Sequence, residues 1–125
     1  MTIRIKRIYD DASADDGYRV LVDRLWPRGI SKEQARLDAW LKDVAPSPGL
    51  RTWWNHDPER MAEFATRYRA ELTERPESVA AVAALAGLIA QNDGAGKPTT
   101  LLYAAHDPQV NHARILAEFL NEEPA

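Results

Sequence analysis

The stretch Tyr18 to Ile30, YRVLVDRLWPRGI, decides how this chain is read. Val20, Leu21 and Val22 are apolar on both faces of an extended segment, the pattern of an interior strand covered on two sides. That strand ends at Asp23 and delivers Arg24, Trp26 and Arg28 into a Pro-Gly loop, a set of residues that hydrophobic packing alone does not select. Ser31, followed three residues later by Gln34, marks a helix start, since the hydroxyl accepts an orphan amide proton and the amide side chain reaches back. Strand, glycine loop and helix start together favour anions, through exposed amides and the positive end of the helix dipole. Arg24 and Arg28 add bidentate contacts to an oxyanion. The competing reading is structural: Asp23 and Arg24 pair with other buried charges and pin the strand end.

A second doubly apolar run, Thr99 to Ala105 (TTLLYAA), predicts another interior strand. At the start of the chain, Ile3, Ile5 and Arg7 alternate with Arg4, Lys6 and Ile8, which predicts a strand at or near a sheet edge. Tyr18 to Leu25 is expected as the second strand, and the acidic stretch Asp10 to Gly17 before it reads as a solvated loop. Glu33 to Arg36 fit a short helix, and Leu37 to Val44 fit either its continuation or a further strand. Pro46-Ser47-Pro48-Gly49 is a break, with Ser47 capping a short helix that carries Leu50, Trp53 and Trp54. Asp57-Pro58 begins a helix whose Met61, Phe64, Ala65, Tyr68 and Leu72 share one face. Pro76 opens another, with Val79, Val82, Leu85, Ala86 and Ile89 inward and a turn at Asn92-Asp93-Gly94. Asp107-Pro108 caps a last helix with Val110, Ala113, Leu116, Ala117 and Leu120 along its inner stripe. Interior strands separated by helices imply an α/β layered domain with at least part of its sheet parallel. In such sheets ligands sit beyond the carboxyl ends of the strands. Both interior strands end in polar clusters, Asp23, Arg24, Trp26 and Arg28 on one and His106, Asp107, Asn111 and His112 on the other. Parallel strands bring the two to one rim.

At 125 residues the chain is the size of a single domain. A net charge of -3 excludes a surface that is basic throughout, as a general nucleic-acid or membrane binder requires. No segment approaches the roughly 20 apolar residues of a membrane span, and MTIRIKRIYDD lacks the apolar core of a signal peptide, so a cytoplasmic location is expected. With no cysteine there is no disulfide framework, thiol nucleophile or cysteine-ligated zinc.

The best-supported local chemistry is an anion clamp of Arg24 and Arg28, with Lys42 and Arg51 as helpers unless they are ordinary surface charges. His112 and His56 are the imidazoles available for acid-base work, or for satisfying local backbone groups. Two His-Asp-Pro triplets, at His56 and His106, are explained by Asp-Pro helix starts, and no histidine pair sits at a metal-binding spacing, so neither metal nor cofactor is expected. Of the four tryptophans, Trp26 is the one placed to line a pocket, while Trp40, Trp53 and Trp54 read as core. Tyr103 and Glu71 read as structural.

The blocks RVLVDRLWPRGISK, WLKDVAPSPGLRTWWNHDP, FATRYRAEL and TLLYAAHDPQVNHARIL resemble the uncharacterised bacterial family called domain of unknown function 488, in its short YeaO-like branch, over nearly the whole chain. The resemblance implies a compact three-layer α/β fold, favours a short strand within residues 37–44, and brings no established reaction. Positions that match the family's signature are Asp23, Arg24, Trp26, Pro27, Arg28 and Gly29; Trp40, Lys42, Pro46, Ser47, Leu50 and Arg51; Tyr68 and Glu71; and Asn111 and His112. Longer relatives carry a cysteine and a Cys-His-Arg motif around the last strand and helix. Here Tyr103-Ala104 and Asn111-His112-Ala113 stand in that region, so thiol chemistry does not transfer, which weakens the nucleotide or nucleic-acid role suggested for the wider family. The leading expectation is a domain that binds a phosphorylated or other anionic small molecule at the carboxyl rim. Arg24 and Arg28 hold the anion, Trp26 walls the pocket, and Asn111 with His112 orients or protonates it. An enzymatic version relies on His112 and Asp23. The alternatives are a nucleic-acid module using the same arginines, and an interaction domain in which they only lock the strand ends.

Overall fold

The computed structural model describes residues 2–122 of the chain. Among them four strands run parallel in one sheet: β1 (Ile3–Arg7), β2 (Tyr18–Leu21), β3 (Ala39–Trp40) and β4 (Thr99–Tyr103), in the order β1-β4-β2-β3. The two sequence runs read as doubly covered are the two central strands, and β1 is an edge. Pairing sets Val20 beside Leu101 and Leu21 beside Leu102. Because side chains alternate across a strand, these two rows point to opposite faces. Val20 and Leu101 join a large core, and Leu21 and Leu102 join a smaller one with Ile8 and Ala35. All four leucine and valine side chains are fully buried.

The large core lies under α2 (Pro48–Trp54), α3 (Met61–Glu74), α4 (Pro76–Gly94) and α5 (His112–Glu122). Among the described residues the opposite face carries only α1 (Lys32–Ala35) and loop segments, with Trp26, Ile30, Leu37 and Trp40 packed against the smaller core. The domain is therefore three-layered, with one thick helical layer and one thin layer. Among the described residues no helix is long and apolar enough to cross a membrane.

Several boundaries differ from the sequence reading. The second strand stops at Leu21, not Leu25, and the last at Tyr103. Residues 37–44 hold a two-residue strand followed by a 3-10 turn at Lys42–Val44. In the acidic loop, Ser13 caps a 3-10 turn at Ala14–Asp16, and Asp16 is buried against Arg19. Asp107 accepts amide protons from Gln109 and Val110 in a turn of its own, so α5 starts only at His112. The long α4 runs through Gly94 and turns Val79 outward, leaving Leu85 and Ile89 as its fully buried apolar side chains.

Candidate anion cleft at the carboxyl rim

The site begins where the two central strands part. The Val22 amide still donates to the Leu102 carbonyl at 3.1 Å. One residue later a side chain replaces the backbone: Asp23 Oδ2 accepts the Ala104 amide at 3.0 Å. The freed Asp23 carbonyl takes the Trp40 indole proton at 2.7 Å, and the Val22 carbonyl receives the His112 ring at 2.9 Å. A carbonyl only accepts, so His112 Nε2 carries the hydrogen. His112 is buried at the first position of α5, with the Tyr68 ring edge-on at 6.0 Å. Its Nε2 also lies 3.4 Å from Asp23 Oδ1.

Beyond this splay point opens a cleft of about 350 Å³. Asp23, His112 and Trp54 line it together with Ala45, Ala104 and Ala105. The segment Arg24 to Arg28, together with Tyr9, Pro46, Arg51 and His56, completes its lining. Arg24 reaches toward Asp43 and the Ala45 carbonyl, both at 3.4 Å, while its Nε is buried without a protein partner. Arg28 sits at the corner of a turn closed by Ile30 N–H on the Pro27 carbonyl at 3.4 Å. Gly29 follows with φ 79°, the left-handed conformation that this turn geometry requires and glycine adopts without strain. The Arg28 backbone carbonyl is held by the Tyr9 hydroxyl at 2.8 Å, which fixes the turn and leaves the guanidinium exposed.

Arg51 comes from the last turn of α2, whose placement depends on Glu71. That carboxylate accepts both the Ser47 amide, at 2.8 Å, and the Ser47 hydroxyl, at 2.5 Å, and Ser47 in turn caps the helix. After α2 the chain passes through two left-handed residues, Asn55 and His56, which set the His56 ring 4.8 Å from Trp54 at the cleft's lip. Partial burial, together with the neighbouring His112 and Arg51, lowers the His56 pKa below 6.5, against the opposing pull of Asp23.

The expected residues are thus only partly gathered. Asp23, Arg24, Trp26, Arg28, Arg51 and His112 line one cleft. Lys42 does not; its Nζ lies 4.2 Å over the Trp40 ring. Asn111 is fully buried and engaged locally, with Nδ2 donating to the Asp107 carbonyl and Oδ1 capping α5 through the Arg114 amide at 2.9 Å. Trp26 lines the cleft, but its indole proton goes to the Ile30 carbonyl at 2.6 Å and its ring packs edge-on against Trp40 at 5.4 Å. The helix-dipole contribution is missing: α1 has four residues, and its Ser31-Gln34 capping box satisfies its own amides. Tyr103 is buried, and burial raises its pKa above 10.0. Tyr9 and Leu25, lining residues that the sequence did not single out, follow strands whose place at the rim emerges only once every strand is known to be parallel.

Residues 2–125 match the family described as the inactive DUF488-N3 subclade. The chain belongs to this subclade. Within DUF488, it is 44% identical over 119 residues to the uncharacterised protein Rv3073c of Mycobacterium tuberculosis, covering 95% of this chain and 93% of that one. It is 42% identical over 120 residues to the uncharacterised protein YeaO of Escherichia coli, covering 96% and 97%. No solved structure matches. The DUF488 and YeaO-like resemblance is confirmed, and the fold expected for this DUF488 chain is the one observed.

Proposed function

We propose that this protein acts in the cytoplasm as a binding domain for an anionic small molecule, held at the carboxyl rim of the sheet without turnover. One observation carries the reading. Arg24 and Arg28, from the loop that follows β2, and Arg51, from helix α2, line a single cleft in a chain whose net charge is negative. Among the described residues the guanidiniums of Arg28 and Arg51 make no hydrogen bond or ion pair, so neither is spent on pinning the fold. Guanidinium forks match carboxylate and phosphate oxygens. The description of the subclade as inactive favours binding over catalysis. The engaged indole of Trp26 supports a small-molecule cleft over a nucleic-acid stacking platform.

A thermal-shift series with phosphate, sulfate and simple carboxylates tests this, because a ligand that binds only the native state raises its stability. The expected result is a shift with at least one anion that Arg28→Ala removes, while the melting temperature of the free variant stays near wild type, as for an exposed side chain. A shift that survives Arg28→Ala, or none with any anion, overturns the proposal.

A further inference from the structure

His56 lines the cleft from a stretch of backbone that costs energy to hold. Asn55 and His56 are consecutive non-glycine residues with φ 48° and 53°, in a left-handed region that few side chains other than those of Asn, Asp and His enter. This conformation turns the chain at the end of α2 and sets the imidazole 4.8 Å from the Trp54 ring, which itself stacks on Phe64 at 3.7 Å. A structural histidine spends a ring nitrogen on the fold, as His112 does on the Val22 carbonyl at 2.9 Å. His56 does not. Among the described residues neither of its nitrogens makes a hydrogen bond or ion pair, and the residue is exposed at the lip.

The charged and titratable groups around this ring come from three elements. Arg51 stands on α2, His112 at the start of α5, and Asp23 on the loop after β2. The neighbouring Asp57 is engaged elsewhere, its carboxylate accepting the Glu59 amide at 3.0 Å and meeting Arg60 at 3.7 Å. Desolvation, His112 and Arg51 disfavour the imidazolium, Asp23 favours it, and the balance leaves the ring neutral at pH 7. An anion on Arg28 and Arg51 reverses that balance. In a cleft of about 350 Å³ it lies within about one Debye length, ~8 Å at physiological ionic strength, of the lining groups, so its charge acts on the imidazole with little screening. The Trp54 ring lies within the range of a cation–π contact and also supports the protonated form.

Resting on the anion-binding reading above, we propose that His56 is a third cationic group of the site, charged only when it is needed: it takes up a proton from solvent as the anion binds, so the site fills more readily as pH falls. No bond in the ligand changes; one proton moves from water to the imidazole. The sign follows from linkage. An anion that favours the imidazolium raises the His56 pKa in the complex above its value in the free protein. Affinity is therefore lowest where the ring is neutral in both states, climbs as pH falls between the two values, and levels off below the free-protein value, which lies under 6.5.

The test is calorimetric titration of the full chain with sulfate, whose charge is fixed over the range. Phosphate or acetate replaces it if only they give a thermal shift, since their own titration is common to wild type and variant and cancels in the comparison. The wild type is expected to bind about tenfold more tightly at about pH 5 than at about pH 8, the equivalent of one pKa unit. Near neutrality it should take up a fraction of a proton per anion, seen as a heat that differs between buffers of different ionisation enthalpy. His56→Asn keeps a residue suited to the left-handed backbone and removes the titrating ring. It is expected to lose both the extra pH dependence and the buffer-dependent heat. Wild-type and variant profiles that coincide, whether flat or rising, overturn the assignment to His56 and leave the anion site standing. No thermal shift with any anion removes the anion site and this inference together. An NMR titration of the His56 ring with and without the anion is the readout that needs no variant: its midpoint is expected to move upward, and an unmoved midpoint overturns the proposal even if His56→Asn fails to fold.

Discussion

At the scale of single residues, charge in this protein does two separable jobs. Arg28 and Arg51 stand free at the cleft, whereas Arg19 and Asp16 are 4% and 6% exposed and meet at 2.5 Å. Arg19 also donates through Nε and a terminal nitrogen to the Ala35 carbonyl, at 3.1 and 2.8 Å, and Lys6 Nζ approaches Asp16 at 3.1 Å. Burial pushes the Asp16 carboxyl up, but the Ser13 amide, Lys6 and Arg19 together outweigh it and hold its pKa below 3.8. A carboxylate depressed in the folded state contributes stability that is fully present above its unfolded pKa and is lost as pH falls through the folded one. The window for that loss therefore lies below 3.8. Asp16→Asn is expected to cost roughly 3 kcal/mol at neutral pH, because it leaves a buried guanidinium without its counter-charge. Urea midpoints of the two proteins should converge on acidification to about pH 3, where the wild type begins to lose the same pair. A gap of unchanged size at both pH values would show that Asp16 acts by shape and not by charge. None of this was legible in the sequence, where Asp16 is one of four aspartates in a stretch that reads as a solvated loop. Arg24 and Arg28 were legible, because arginines at the end of an apolar strand stand out from any packing pattern.

At the scale of elements, the interior strands and helices could be read because apolar residues repeat with the period that each element demands. Boundaries were less readable, because they are set by single hydrogen bonds. β2 ends where the Asp23 carboxylate takes the place of a carbonyl, and α5 begins where Asn111 takes over as cap from Asp107. Neither swap leaves a mark in hydrophobicity. The entrance to β2 shows the same dependence on one residue. Gly17 has φ 65° and ψ -126°, and a Cβ there would lie 2.3 Å from the Pro98 carbonyl oxygen. That oxygen accepts the Tyr18 amide at 3.0 Å and so ties the start of β2 to the start of β4. Gly17→Ala meets both a disfavoured backbone and a backbone clash, and is expected to destabilise the fold by at least about 2 kcal/mol. Gly49 in α2 is the control, since a Cβ there meets nothing within 4 Å. Gly49→Ala should be neutral or stabilising, by up to about 1 kcal/mol. Denaturant midpoints decide, and equal effects at the two positions would refute the close-approach argument.

For the whole molecule, the parallel order β1-β4-β2-β3 is what turns scattered residues into a site, because it carries Tyr9, the Asp23 to Arg28 loop and the Ala104-Ala105 turn to one rim. The thick helical layer closes that rim from one side through α2 and α5, which bring Arg51 and His112. The remaining surface is acidic in balance, with 19 Asp and Glu against 16 Lys and Arg in the chain, so the basic groups of the cleft form a local field in a molecule that repels polyanions overall. This predicts discrimination by size. A small phosphorylated ligand at a hundred times its dissociation constant adds about 2.7 kcal/mol to the native state, which for a domain of this length raises the melting temperature by roughly 10 °C. The same head group at the end of a short single strand should do no better as nucleotides are added, because the extra phosphates meet the acidic surface outside the cleft. A nucleic-acid module behaves oppositely: affinity grows with length and falls with salt at a slope near 0.7 per neutralised phosphate. Thermal shifts for a monophosphate and for oligonucleotides of increasing length, each at two salt concentrations, separate the cases. A length-dependent shift with a steep salt slope would relocate the binding surface from the cleft to a track along the outside, where the free arginines of the lip would be only its first contacts.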